Sequence, residues 1–115
     1  MNEKSVAEIA AEAKSAALVL AGLSAEVKNK ALEEMASALE SNCSRILEAN
    51  AKDLSFAKEE NLPGPLVDRL AVDEAKVHGM AAGIRSVAGL ADPVGHVESR
   101  MELDDGLTLT RVSCP

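Results

Sequence analysis

Aromatic side chains are almost missing from this sequence: Phe56 is the only one, and tryptophan and tyrosine are absent from its 115 residues. Free-standing sheets rely on aromatic and β-branched side chains for their core, so this scarcity argues against an all-β module. Positive charge is also in short supply, with 12 Lys and Arg against 19 Asp and Glu and a net charge of −7. The basic residues are scattered and sit beside acids, as in Glu3-Lys4, Lys58-Glu59 and Asp68-Arg69. Neutralising phosphates needs clustered cations, so nucleic acid and anionic membrane surfaces are both excluded as partners. Long apolar runs are missing too, and the longest, around Ala16 to Leu20, is far too short to span a bilayer. The start, Met-Asn-Glu-Lys-Ser, leads into an amphipathic pattern and lacks the basic-then-apolar order of a signal peptide. Cysteine is limited to Cys43 and Cys114, with no paired spacing. A reduced, cytoplasmic setting is the expectation.

What the sequence does contain is alanine, leucine, valine and isoleucine at helical spacing. Hydrophobic residues make up 47% of the chain, ordinary for one globular domain. Val6, Ile9, Ala10, Ala13, Ala16, Ala17 and Leu20 form one stripe, and Gly22 is expected to stop that helix by accepting a positive φ. Leu18 and Val19 fall off the stripe and need a second neighbour or exposure. Ser24 reads as the cap of a second helix whose apolar face is Val27, Ala31, Met35, Ala38, Leu39, Asn42 and Ile46, running to about Leu47. Asn50 or Asp53 would cap a shorter third helix.

Asn61-Leu62-Pro63-Gly64-Pro65 is the clearest break, followed by a short turn over Leu66 to Leu70. Asp73 caps a further helix with the face Val77, Met80, Ala81, Ile84, Val87 and Ala88. Within it, Gly83 suggests a close approach of another helix. From Val97 the period changes to two extended runs around a three-residue loop, Asp104-Asp105-Gly106. The fold class is therefore mostly α, with about four helices, ending in a β-hairpin: residues 1–95 helical, residues 96–115 the hairpin.

Catalytic signals are sparse. Cys43 has no histidine near it in sequence and reads as a small buried hydrophobe, while Cys114 lies next to the last residue. His78 and His96 are too few for a metal cluster, and adjacent acids such as Glu33-Glu34 diverge on a helix. The glycines at 79, 83, 89 and 95 match no phosphate-binding pattern. Asp68-Arg69 is the most suggestive pair, because an arginine beyond a proline-rich loop can clamp a carboxylate or phosphate. The competing explanation is a surface ion pair. Arg69 is thus the one candidate substrate-binding residue, and no catalytic, cofactor-binding or metal residue is expected.

Several ordered motifs carry a resemblance. Leu47-Glu48-Ala49-Asn50-Ala51-Lys52-Asp53-Leu54, Asn61-Leu62, Asp68-Arg69-Leu70, Gly83-Ile84-Arg85-Ser86-Val87-Ala88, Asp92-Pro93-Val94-Gly95 and the ending Gly106 to Pro115 together resemble the N-terminal region of the glutamate-5-semialdehyde dehydrogenases, also called γ-glutamyl phosphate reductases. Ser113 and Cys114 depart from that family's ending, which usually has a basic and an aliphatic residue there. The resemblance implies the N-terminal part of an α/β, aldehyde-dehydrogenase-like fold. It also implies an oxidoreductase that uses NADPH to reduce L-glutamyl 5-phosphate to the semialdehyde in proline synthesis, through a cysteine thioester. Neither Cys43 nor Cys114 matches that cysteine's motif.

On this reading the chain is an N-terminal segment, inactive alone, that ends where the dinucleotide-binding domain would begin. Its partners would be the remainder of the same enzyme or another subunit, with a small-molecule substrate in the complete enzyme and NADPH bound only there. The alternative is a non-enzymatic helical interaction module that binds through Leu18, Val19 and the hairpin. Apolar helix faces without partners and an unpaired hairpin edge predict low stability of the isolated chain. Thermal melting followed by circular dichroism should be broad, and a sharp cooperative transition in dilute monomer would contradict this.

Overall fold

In a computed structural model, residues 4–115 are described. Among them, five helices precede a two-stranded antiparallel hairpin: α1 Val6–Ala21, α2 Ala25–Ser41, α3 Cys43–Glu59, α4 Gly64–Leu70, α5 Glu74–Ala88, β1 Val97–Asp104 and β2 Leu107–Val112. The chain divides into two compact units. One comprises the stretch up to Ala25 together with Ala91–Pro115, and the other is Glu26–Leu90.

In the first unit, α1 is fixed at its start by a reciprocal cap. The Glu8 amide donates to Ser5 Oγ at 3.3 Å, and the Ser5 amide donates to Glu8 Oε2 at 2.7 Å. Two orphan donors of the first turn are satisfied this way. The Ser-x-x-Glu signature of this cap stands in the sequence at positions 5 and 8. The helix ends at Gly22 as expected but by a different device. Gly22 keeps φ −93°, and its amide donates back to the carbonyls of Leu20 and Val19. Every described residue of α1 is exposed, Leu18 and Val19 included.

The hairpin pairs Met101 with Leu109, Arg100 with Thr110 and Glu102 with Thr108. Strand alternation then places Met101, Leu103, Leu107 and Leu109 on one face, and both faces are exposed. The connection is shorter than the three-residue loop expected, because Asp104 already pairs with Leu107 and only Asp105-Gly106 lies between the strands. Gly106 has φ 75°, and a register shift separates Glu102 from Asp104, so a bulge beside the glycine absorbs the extra residue. Beyond β2 the ladder continues, with the Ser113 amide donating to His96 O at 3.0 Å and the Gly95 amide to Ser113 O at 2.9 Å. Ser113 Oγ also donates to the carbonyls of Pro93 and His96.

The second unit holds all the buried residues among those described: Ala36, Ala57, Val77, Ala81 and the single polar one, Asn50. Here the second and third helices differ from expectation. The break falls at Asn42, the one polar interruption of the presumed continuous stripe, so α2 stops at Ser41 and α3 is a full 17 residues. Asn42 donates its side-chain amide to Ala38 O at 2.8 Å and accepts from Arg45 Nη1 at 3.1 Å. These local bonds compete with the helical ladder and favour the break.

Asn50 accordingly is no cap. It sits in the middle of α3, where its carboxamide donates to Leu70 O at 2.9 Å and accepts from the Val72 amide at 2.8 Å. The first group is the last carbonyl of α4 and the second lies in the link to α5, so one side chain of α3 holds the end of α4 and the link that follows it. The end of α3 is set by Asn61, whose φ of 55° is left-handed, with the Leu62 amide on Ala57 O at 3.0 Å and the Asn61 amide on Lys58 O at 3.1 Å. That is a Schellman stop, and Pro63 and Pro65 follow it as the break predicted. Asp73 caps α5 as expected, accepting from the Lys76 amide at 2.8 Å. Gly83 does not mark a close approach: nothing lies within 4 Å of where its Cβ would stand.

Substituting Asn50→Ala strands one carbonyl and one amide in a half-buried link. We expect a loss of about 1–3 kcal/mol in the stability of the helical unit, measured by urea unfolding. A loss near zero would mean that water replaces both bonds.

Candidate functional site

Two of the helices, α2 and α5, bring charge together. Glu40, near the end of α2, receives Arg85 Nη1 at 2.8 Å and Nη2 at 2.7 Å, a bidentate fork. Arg85 Nε lies 3.3 Å from Glu33 Oε2, two turns back on α2. His78, two turns before Arg85 on α5, has Nδ1 3.6 Å from Glu40 and Nε2 3.6 Å from Glu74. The Arg85 hydrogen bonds hold the Glu40 carboxyl well below the usual carboxylate range, at about 2, and Arg85 is correspondingly raised. No local signal announces this cluster, because Glu40 and Arg85 are separated by 45 residues. It fixes the rotation of α2, whose inward residues become Leu32, Ala36, Leu39 and Glu40.

Of the expected apolar face of α2, Val27, Ala31, Met35 and Ala38 are exposed, whereas Leu39 is half-buried. Met35, Ala38, Leu39, Asn42 and Ile46, all from the sequence-derived stripe, line an open groove of about 380 Å³ with Ile84 of α5. Asn42 and Ile46 also border an adjoining cleft with Arg45 and Ala49. A third cleft, of about 330 Å³, is lined by Glu40, Ser41, Cys43, Ser44, Leu47 and Glu74. Cys43 is the first residue of α3 and only half-buried, so the fully buried role expected for it does not hold. Its cleft is lined by two carboxylates, Glu40 and Glu74, both of which also face His78.

Arg69 lies in the last turn of α4, exposed, with no hydrogen bond or ion pair to another described residue. Asp68 does not pair with it, since neighbours in sequence point apart on a helix. Cys114 and His96 are exposed near the ends of the hairpin. Among the described residues no group of His, Cys, Asp and Glu could hold a metal ion. The two strands follow all the helices, so no strand runs through a glycine-rich turn into a helix N-terminus. No described helix is long and apolar enough to cross a membrane.

No family model matches the chain. Individual proteins do. A protein of Methanosarcina mazei is 55% identical over 108 residues, covering 90% of this chain and 24% of its own length. One from Acaryochloris marina is 50% identical over 111 residues, covering 96% and 26%. Both are gamma-glutamyl phosphate reductases. Two solved structures of gamma-glutamyl phosphate reductase share the fold. The Saccharomyces cerevisiae enzyme has a TM-score of 0.88 at 41% identity, over 98% of this chain and 29% of that one. The Thermotoga maritima enzyme has a TM-score of 0.81 at 38% identity, over 84% and 23%. The chain thus spans about a quarter of the length of the reductases it matches.

The Glu40–Arg85 fork makes a testable demand on pH. The folded-state value of about 2 lies below the ordinary 4.5, so the stabilisation is complete above pH 4.5 and fades as pH falls from there toward 2. Denaturant midpoints measured across that window should fall more steeply for the parent chain than for Glu40→Gln. Parallel curves would show that the pair contributes nothing to folding.

Proposed function

We propose that this chain forms the helical N-terminal part of a gamma-glutamyl phosphate reductase, acting in proline biosynthesis in the cytoplasm. The complete protein would reduce L-glutamyl 5-phosphate to L-glutamate 5-semialdehyde with NADPH. The observation that carries this reading is identity of 50–55% to reductases across at least nine-tenths of the chain. On this reading, residues 1–95 are a helical scaffold, residues 96–115 are a hairpin leading into the cofactor domain, and the chemistry is housed elsewhere in the polypeptide.

Arg69 is the residue this segment offers to the substrate. Its guanidinium is exposed and unclaimed by any described acid, which leaves its planar fork available for a carboxylate or phosphate.

The experiment is a chimera in which this chain replaces the matching stretch of a relative. The assay follows the reverse reaction, NADP⁺ reduction dependent on semialdehyde and phosphate, which avoids the labile acyl phosphate. Turnover within about tenfold of the parent enzyme is expected, and a folded but inactive chimera would refute the assignment. In the active chimera, Arg69→Ala should raise KM for phosphate or semialdehyde about tenfold with kcat little changed, the loss of one charged hydrogen-bonded contact. Unchanged KM values for both would remove Arg69 from the substrate site.

A further inference from the structure

We propose that Asp105–Gly106, at the tip of the hairpin, is a site of spontaneous backbone isomerisation where Asp105 becomes isoaspartate and opens the hairpin from its turn. The Gly106 amide nitrogen attacks the side-chain carboxyl carbon of Asp105. The amide proton and the carboxyl hydroxyl leave together as water, and a succinimide ring results. Water then reopens the ring at one carbonyl or the other. One product is the original aspartate; the other carries the main chain through the side-chain carboxyl. The balance involves no oxidant, cofactor or second enzyme.

Gly106 is what singles this position out, because no other Asp or Asn of the chain precedes a glycine. A side chain on the following residue hinders the approach of its nitrogen, and glycine has none. At the other aspartates one of the reacting groups is held. Pro93 follows Asp92 and has no amide proton to release. Asp53 and Asp68 lie within α3 and α4, where the helical backbone is fixed. The Asp73 carboxylate is engaged as a cap by the Lys76 amide at 2.8 Å. Asp104 belongs to the β1 ladder, and its Oδ1 accepts from the Asp105 amide at 2.8 Å.

Neither reacting group is held at the tip. The Asp105 carboxylate has no hydrogen bond or ion pair with another described residue, and the Gly106 amide reaches only Glu102 Oε1, at 3.5 Å. Both residues are exposed, and nothing lies within 4 Å of where a Gly106 Cβ would stand, so water has access to the ring.

The register sets the consequence. Isoaspartate adds one atom to the main chain and turns the former backbone carboxyl into a side group. The two-residue connection between Asp104 and Leu107, closed by a bulge and the φ of 75° at Gly106, does not accommodate that extra atom. The Asp104–Leu107 pair therefore opens, whereas the bonds joining Gly95, His96 and Ser113 at the far end of the ladder are untouched.

The test ages the whole chain at neutral pH, digests it with trypsin and reads the peptide 101–111 by electron-transfer fragmentation, which separates isoaspartate from aspartate. Isoaspartate at residue 105 should exceed that at residue 104 by about tenfold or more, and Asp105→Glu, which would need a larger ring, should abolish it. Equal amounts at the two positions would overturn the proposal. So would isomerisation about tenfold slower in the chain than in the free 101–111 peptide, since the folded turn would then shield the bond. Amide hydrogen exchange gives a second readout: ageing should quicken it at Leu107 and leave Gly95 and Ser113 as they were. Unchanged exchange at Leu107 would overturn the opening of the hairpin.

Discussion

The bidentate contact between Arg85 and Glu40 decides how the helical unit is arranged. Its buried side chains are three alanines, one valine and one asparagine, too small to dictate helix rotation by interlocking alone. Large side chains usually impose such specificity through shape. Here a planar guanidinium takes over, because its fork accepts a carboxylate in only a narrow range of orientations. Once Glu40 faces α5, Ala36 follows one turn earlier, and Met35 and Ala38 are carried to the outside.

Asn50 plays the matching part at the other end of the unit. Its carboxamide completes the backbone of the α4–α5 link much as a strand neighbour would, one donor for a carbonyl and one acceptor for an amide. The two polar contacts differ in kind. Asn50 satisfies backbone groups that would otherwise be stranded, whereas Arg85 joins two side chains and so responds to acid. A unit built this way tolerates small residues in its interior and leaves larger apolar ones such as Met35, Phe56 and Met80 exposed.

The sequence was most informative where local chemistry acts. Asp73, the proline-flanked break and the extents of α1 and α5 were all visible, since each depends on residues within one turn of the feature. The split between α2 and α3 was misread because Asn42 is a single polar residue in an apolar stripe, and only its bonds to Ala38 and Arg45 reveal the break. The role of Asn50 was hidden for another reason: its partners lie 20 and 22 residues away. The ion cluster was equally invisible, and with it the rotation of α2. Arg69 could be named from its neighbours, but its lack of a partner emerged only when Asp68 was seen to point elsewhere. The resemblance succeeded where periodicity could not, because ordered motifs spread along the chain report ancestry that no helical period encodes.

The connector between α3 and α4 has one more consequence. Pro63 and Pro65 fix φ whether the chain is folded or not, and they follow directly on the left-handed stop at Asn61. The unfolded ensemble is therefore poorer in conformations at this point than a glycine–serine linker of equal length would allow. The order of the bend comes from freedom that the chain never had, and so it owes little to the sparse contacts of the core.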